Sequence, residues 1–171
     1  MTKDERQKVV VTGIGCWTGL GDLSQSWENL QQGKSNISLQ QPFSELPLYP
    51  LSLITEQALS LSDLTPQVVE AALADASLGL PLSDCGVVVG SSRGCQGEIE
   101  QLLRQKRKSV NWLDIFPHQA AIITAQIIGS QSGVLSPMAA CSTGISAIAQ
   151  GYQLITSGQC EQVIAGAVEN P

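Results

Sequence analysis

Five cysteines and one histidine are the side chains best suited to nucleophilic chemistry in this chain of 171 residues. The cysteines form an odd set without CxxC spacing: Cys16, Cys85, Cys95, Cys141 and Cys160. This set argues against a disulfide framework or a zinc cluster, and it favours a reducing cytoplasm. We expect neither a metal nor a cofactor.

Cys141 has the most suggestive surroundings of the five thiols. It lies in the stretch SPMAACSTGISAIAQGYQLITSG (residues 136–158), after a short apolar run and before a long segment of small residues. A helix N-terminus there would offer unpaired N–H groups and partial positive charge, which favour a thiolate. The same amides could stabilise an oxyanion developing on a bound thioester. The alternative is an ordinary buried thiol, because free cysteine is among the most buried residue types.

The distribution of charge constrains the surroundings of Cys141. Residues 115–160 contain no Asp, Glu, Lys or Arg, so we expect much of this stretch to be buried in a core or against another protein surface. The net charge of −6 argues against nucleic acid or an anionic membrane as a partner. No apolar run is long enough to suggest a membrane span, and the polar N-terminus lacks the apolar core of a signal peptide.

The helix predicted over residues 141–157 has no charged face, which is typical of a helix covered on both sides. One apolar stripe consists of Ile145, Ile148, Ala149, Tyr152 and Ile155. Small residues at Gly144, Ala147 and Gly151 would let a second helix come close. We therefore expect a central helix between two layers, one of which another polypeptide segment would supply.

Strand and helix patterns alternate along the chain, which predicts an α/β fold with a mixed, mostly parallel sheet and helices on both faces. Residues 1–171 are expected to form one domain. Strands are predicted at residues 8–15 (KVVVTGIG), 85–92 (CGVVVGSS), 133–140 (GVLSPMAA) and 162–169 (QVIAGAVE). Besides the helix at residues 141–157, four helices are predicted. The first covers residues 23–30, with Ser24 as its cap and Gly33 past its end, and the second begins at Pro66 with Thr65 as its cap. The other two cover residues 99–107 and 120–128. Residues 35–61 contain three prolines and are predicted to be a loop.

Three other patterns have weaker functional interpretations. Gly13 and Gly15 fit the start of a GxGxxG dinucleotide fingerprint, but Thr18 stands where the third glycine should be, so we interpret the glycines as permitting a tight loop. His118 could act as a base for Cys141 only if the fold brought the two together. The basic run RQKRK (residues 104–108) indicates a solvated helix face, or a surface for an acidic carrier protein or a phosphate.

Three segments resemble a known family, and one of them, CGVVVGSSRGCQGE (residues 85–98), is similar to the second strand of β-ketoacyl-acyl carrier protein synthases with its glycine turn. AACSTGISAIAQGYQLITSGQCEQVIAGAVE is similar to the active-site segment of β-ketoacyl-acyl carrier protein synthases, and KVVVTGIGCWTGLGDLSQSWENLQQGKSNIS is similar to their opening strand, loop and helix. The resemblance implies the N-terminal half of a thiolase fold. It also implies that Cys141 is the nucleophile that takes an acyl chain from acyl carrier protein.

The resemblance covers only the first of the two similar halves in those enzymes. Their second half supplies two histidines and a lysine, none of which can be assigned to this sequence. The leading hypothesis is therefore a cytoplasmic condensing-enzyme half that forms a homo- or hetero-oligomer and needs a complementary half. The alternatives are a non-catalytic ketosynthase-like partner subunit, or a small thioesterase or acyltransferase using Cys141 with His118.

Overall fold

The computed structural model describes residues 8–56, 59–104 and 115–169. They divide into two compact units, which are described separately. The sheet unit consists of Met1–Val11, Ser60–Pro66 and Gly79–Pro171, and the hairpin unit of Thr12–Leu59 and Gln67–Leu78. In chain order the elements are β1 (Trp17–Thr18), β2 (Gly21–Asp22), α1 (Leu23–Gln31), β3 (Ser38–Gln40), β4 (Tyr49–Leu51), α2 (Leu61–Asp75), β5 (Gly86–Gly90), α3 (Gln96–Leu103), α4 (Gln119–Ile128), β6 (Val134–Leu135), a 3₁₀ turn (Ala140–Ser142), α5 (Thr143–Thr156) and β7 (Val163–Ala167).

The sheet unit is built around a parallel sheet of three strands in the order β6-β5-β7. The sequence of β5, GVVVG, is a short β-branched run, which favours a strand buried on both faces. All five of its residues are buried, as predicted from sequence. Strand β7 also lies where the sequence predicted it, whereas β6 is only two residues long.

Helices cover both faces of this sheet. Gly90 faces Thr143 at the start of α5, so the side chain of Val88, two residues earlier, lies on the same face. Val87 and Val89 point to the opposite face and are also buried, and α4 contacts this strand and β6. The chain crosses from β5 to β6 and then back past β5 to β7, and right-handed crossovers in opposite directions place α4 and α5 on opposite faces. The predicted fold class is confirmed.

The hairpin unit contains two short antiparallel hairpins and helix α1. The cap of α1 is Asp22 rather than the predicted Ser24. The Asp22 carboxylate accepts a hydrogen bond from the Gln25 N–H at 2.9 Å, and the Gln25 side chain accepts one from the Asp22 N–H at 3.2 Å. This reciprocal capping box makes Asp22 the better cap, and Gly33 follows the helix as expected.

The predicted loop at residues 35–61 is wrong in part, because β3 and β4 pair within it. Pro50 lies in β4 opposite Leu39. Each strand of a two-stranded sheet has a free edge, where a proline without an N–H is tolerated.

The strand predicted at residues 8–15 is also wrong, since none forms there in the structure. Val10 and Val11 are 73% and 77% exposed and pair with no strand of the described chain. Within the hairpin unit, the Ile14 N–H donates to the Asp75 carboxylate at 2.8 Å. A Cβ on Gly15 would lie 1.9 Å from the Val68 carbonyl oxygen, so this glycine allows close approach to a helix backbone rather than a tight loop.

Helix α2 begins four residues before the predicted cap at Thr65. Ser60 caps it, because the Ser60 hydroxyl accepts from the Asp63 N–H at 3.2 Å and the Asp63 carboxylate accepts from the Ser60 N–H at 2.9 Å. The hydrogen bonds from Ser60 lower the pKa of the Asp63 carboxyl. Pro66 therefore lies inside the helix, and Thr65 is buried rather than at a terminus.

The remaining helices differ from prediction mainly at their ends. Helix α3 starts three residues earlier than expected, and residues 105–107 of the predicted helix lie outside the described chain. Helix α4 starts within a residue of its predicted position and ends where expected. Within the described ranges, no helix is both long and apolar enough to cross a membrane.

Candidate active site

Cys141 lies in the 3₁₀ turn that directly precedes α5, two residues before the helix begins. It is the only exposed cysteine: Cys85, Cys95 and Cys160 are buried, and Cys16 is intermediate. Burial raises the pKa of the Cys85 thiol, which makes that cysteine a poor nucleophile at neutral pH. The position predicted from sequence is therefore the one cysteine of the five that is an exposed residue.

The backbone just before Cys141 adopts a conformation that is unusual for a residue with a side chain. Ala140 has φ +48°, in the left-handed region. Side-chain hydrogen bonds surround it: the Thr143 hydroxyl accepts from the Ala139 N–H at 3.0 Å and donates to the Ala140 carbonyl at 2.7 Å, and the Ser142 hydroxyl donates to the Ala139 carbonyl at 2.7 Å. The thiol thus stands on a tight turn immediately before α5, and residues 136–139 separate this turn from β6.

The turn rests on Gly90, the last residue of β5. A Cβ at this position would lie 2.2 Å from the Pro137 carbonyl oxygen and 2.6 Å from Thr143 Cγ2. Only glycine lets the chain leading to Cys141 pass so close to the end of the central strand. The sequence does not reveal this role of Gly90, because Pro137 is distant from it in the chain.

A second set of contacts joins the ends of β5 and β7. The Ser91 hydroxyl is buried, accepts from the Gly94 N–H at 2.9 Å and donates to the Glu169 carboxylate at 3.3 Å. Glu169 also accepts from the Ser92 N–H. Neither Ser91 nor Glu169 was predicted as a site residue, and the one signal in the sequence is that Glu169 ends an otherwise apolar predicted strand.

His118 shares no hydrogen bond with Cys141 in the described chain. It lies at the N-terminal end of α4 and stacks on Phe116, with ring centroids 5.3 Å apart. The geometry therefore does not support a Cys–His dyad.

The face of α5 that carries small residues packs on the sheet. Ala147 and Gly151 are buried, and a Cβ on Gly151 would lie 3.0 Å from the Ala165 Cβ. The small residues thus permit close approach to β7, and the expectation that they admit a second helix is wrong. The opposite face exposes three large apolar side chains, Ile145, Ile148 and Tyr152, which are 72%, 54% and 50% exposed.

The described residues give no support to the other candidate sites. Of the basic run, only Arg104 is described; it lies 3.9 Å from the Glu100 carboxylate, while Lys106, Arg107 and Lys108 lie outside the described chain. The glycines of the incomplete dinucleotide fingerprint follow no strand. Among described residues, no group of three or more His, Cys, Asp or Glu could hold a metal.

Comparison with known proteins identifies the family to which this chain belongs. Residues 55–171 match the family described as beta-ketoacyl synthase, N-terminal domain. The chain therefore belongs to the β-ketoacyl synthase family, as its sequence resemblance predicted.

Individual relatives agree with this assignment. The 3-oxoacyl-[acyl-carrier-protein] synthase 2 of Mycobacterium bovis is 28% identical over 187 residues, covering 94% of this chain and 45% of the relative. A type II PKS acyl-carrier protein in complex with its ketosynthase contains a chain similar to this one, with TM-score 0.78, 20% identity, and coverage of 95% of this chain and 45% of the other. A ketosynthase in complex with its chain length factor from Xenorhabdus doucetiae gives TM-score 0.76 and 15% identity, with coverage of 100% and 49%. The chain thus spans about half the length of these relatives.

Proposed function

We propose that this chain acts as the N-terminal half of a β-ketoacyl-acyl carrier protein synthase, in fatty acid or polyketide synthesis, with Cys141 as the acyl acceptor. The single observation that carries this proposal is the exposed Cys141 thiol, held on a sharp turn at the start of α5 in a chain of this family. All of residues 1–171 would form one N-terminal-like domain, working in the cytoplasm.

The first reaction would be transfer of an acyl group from carrier protein to Cys141. The Cys141 sulfur attacks the carbonyl carbon of the acyl-phosphopantetheine thioester and forms a new carbon–sulfur bond. The bond to the phosphopantetheine sulfur breaks, and that sulfur leaves with the proton from Cys141. N–H groups at the start of α5 would stabilise the negative charge on the carbonyl oxygen during this exchange.

The later decarboxylative Claisen condensation would need groups from a complementary C-terminal half. The exposed apolar face of α5 is the proposed docking surface for that half. Without a partner there, the large apolar side chains of Ile145, Ile148 and Tyr152 would remain exposed to water. This chain covers less than half of the length of each relative named above, so the remainder of that length is large enough to be a complementary half. The complementary half would belong to a second chain or to a longer polypeptide.

Acyl carrier protein is the proposed donor, consistent with the solved complex of a ketosynthase with its acyl-carrier protein. The basic run at residues 104–108 would supply complementary charge for an acidic carrier. Reversing the charge of Lys106, Arg107 and Lys108 together would then weaken carrier binding, and unchanged binding would remove this part of the proposal.

Acylation of the purified chain tests the proposed function. The chain is incubated with an acyl-carrier thioester, alone and with candidate complementary halves, and its intact mass is measured. We expect a mass increase equal to one acyl group that is absent in Cys141→Ala. A chain that is never acylated would instead support the non-catalytic ketosynthase-like partner, and acylation without condensation would indicate that the decarboxylating half is missing from the mixture.

Substitutions on α5 test the docking surface. Ile148→Asp places a charge on a side chain that is 54% exposed, so it should abolish association with the complementary half without unfolding the chain. Leu103→Asp, at a 76% exposed position on α3, is the matched control and should associate normally. Equal association of both variants, measured by sedimentation, would exclude this face of α5 as the docking surface.

A further inference from the structure

The turn that carries Cys141 must hold one residue in an unfavourable backbone conformation. Ala140 has a φ of +48°, which crowds its Cβ against the backbone and is rare for residues other than glycine, asparagine and aspartate. Such a conformation persists only where surrounding interactions impose it. Because Ala140 directly precedes Cys141, rotation of its backbone would change the direction of the thiol.

Thr143 makes hydrogen bonds on both sides of the strained residue. Its hydroxyl accepts from the N–H of Ala139 at 3.0 Å and donates to the carbonyl of Ala140 at 2.7 Å. The side chain is 2% exposed, so water does not readily replace either bond. Its methyl group faces Gly90, which places the threonine against the central strand.

Ser142 is less suited to this role. Its hydroxyl donates to the Ala139 carbonyl at 2.7 Å, so it does not bond to Ala140 itself. Ser142 is also exposed, and solvent can substitute for its hydrogen bond.

We propose that Thr143 is a positioning residue for Cys141: its hydroxyl, bonded to Ala139 and Ala140, holds the left-handed turn that aims the thiol at the acyl donor. The inference rests on the proposed acyl transfer to Cys141. The Thr143 hydroxyl makes its hydrogen bonds to the backbone of Ala139 and Ala140, so it would act on the thiol through that backbone. Its loss should therefore slow acyl transfer while leaving the sulfur accessible to a small reagent.

Three variants separate positioning from folding. Thr143→Val keeps the shape of the side chain and removes both hydrogen bonds, whereas Thr143→Ser keeps the hydroxyl. Thr124→Val is the matched control, because Thr124 is also fully buried in the sheet unit and its hydroxyl donates to the Ala120 carbonyl at 2.7 Å, on helix α4. Each variant is assayed in the same mixture, alone or with a complementary half, in which the unmodified chain is acylated.

Two rates are measured on each protein. The first is transfer of an octanoyl group from octanoyl-phosphopantetheine to Cys141, followed by intact mass. The second is alkylation of each cysteine by iodoacetamide, followed by peptide mapping. Buried Cys85, Cys95 and Cys160 serve as internal reporters of folding, since they become reactive only where the sheet unit opens.

We expect Thr143→Val to lose at least tenfold in acylation rate, with Cys141 alkylation within twofold of the unmodified chain and the buried cysteines still protected. Thr143→Ser should recover acylation to within about threefold, and Thr124→Val should acylate normally. Near-normal acylation of Thr143→Val, or equal losses in the valine and serine variants, would overturn the inference while the proposed function stands.

Failure of the unmodified chain to be acylated would refute the proposed function and, with it, this role for Thr143. If Thr143→Val exposes the buried cysteines, Thr143→Ala replaces it in the comparison of acylation and alkylation rates. Alanine removes the hydroxyl without placing a methyl group in its position. A folded Thr143→Ala that acylates normally overturns the inference, and one that loses at least tenfold supports it.

Discussion

Replacing Gly90 with alanine should disturb the Cys141 turn through packing alone. The new Cβ would lie 2.2 Å from the carbonyl oxygen of Pro137 and 2.6 Å from Thr143 Cγ2. An ordinary contact of a Cβ begins at 3.4 Å, so the backbone at Pro137 has to move by about 1.2 Å (3.4 − 2.2). Because the obstructing atom is backbone rather than the end of a flexible side chain, the strain cannot be relieved by a rotamer change.

The expected cost follows from comparable overpacked cores. Inserting a methyl group into a well-packed site costs about 1–3 kcal/mol. The reduced entropy of the unfolded chain with alanine offsets about 0.4–1 kcal/mol of this. The two ranges together give a loss between about 0 and 2.6 kcal/mol, so we expect Gly90→Ala to lower the free energy of unfolding by about 1.3 kcal/mol. It should also slow acylation of Cys141 at least tenfold, because the turn is displaced.

Gly97→Ala is the matched control for this substitution. Gly97 lies within α3, and a Cβ there would meet no atom within 4 Å. The same chemical change should raise the free energy of unfolding by about 0.5–1 kcal/mol, since alanine is the better helix former. Urea denaturation measures both variants. Equal stabilities for Gly90→Ala and the unmodified chain, together with normal acylation, would refute the close packing of Gly90 against the turn.

Three further predictions concern caps, helix packing and alkaline pH. Asp22→Ala should lower the free energy of unfolding by about 1 kcal/mol in urea, while Ser24→Ala should not, and the reverse order would restore Ser24 as the cap of α1. Gly151→Ala should unfold at a lower temperature than Gly144→Ala, because its Cβ would lie 3.0 Å from the Ala165 Cβ rather than 3.7 Å from the Ala167 Cβ; equal midpoints would contradict this packing. Burial raises the folded-state pKa of Cys85, so its contribution to stability is present at neutral pH and is lost as pH rises from the ordinary thiol pKa through the raised value. Unfolding at several alkaline pH values should therefore show a shallower decline for Cys85→Ala, and parallel declines would exclude this cause.

Local patterns in the sequence were sufficient to predict secondary structure where a residue's environment depends on its immediate neighbours. The run GVVVG predicted the buried central strand, because consecutive β-branched residues suit a strand covered on both faces. The small, uncharged segment after Cys141 predicted a helix with no charged face, and the structure has one within a residue or two of the expected bounds. The family resemblance in the same segment predicted the class of protein that the comparisons identified.

The same kind of pattern failed where pairing decides the outcome. KVVVTGIG resembles a buried strand as closely as CGVVVGSS does, but residues 8–15 form no strand and Val10 and Val11 are exposed. A β-branched run indicates that a segment can be extended. The segment becomes a strand only where a neighbouring strand supplies its hydrogen bonds. The caps show the same limit, since Asp22 and Ser60 were chosen over Ser24 and Thr65 by reciprocal hydrogen bonds that residue type alone does not reveal.

The sequence by itself determined that this is an α/β chain of the β-ketoacyl synthase family, with Cys141 next to a helix start. Tertiary structure decided that Cys141 is the exposed cysteine and that its turn is strained at Ala140. It also placed Gly90 beneath that turn and joined Ser91 to Glu169, 78 residues later in the chain. These features depend on contacts between strand ends that are distant in sequence, whereas periodicity and local motifs report only on the residues within a few positions of one another.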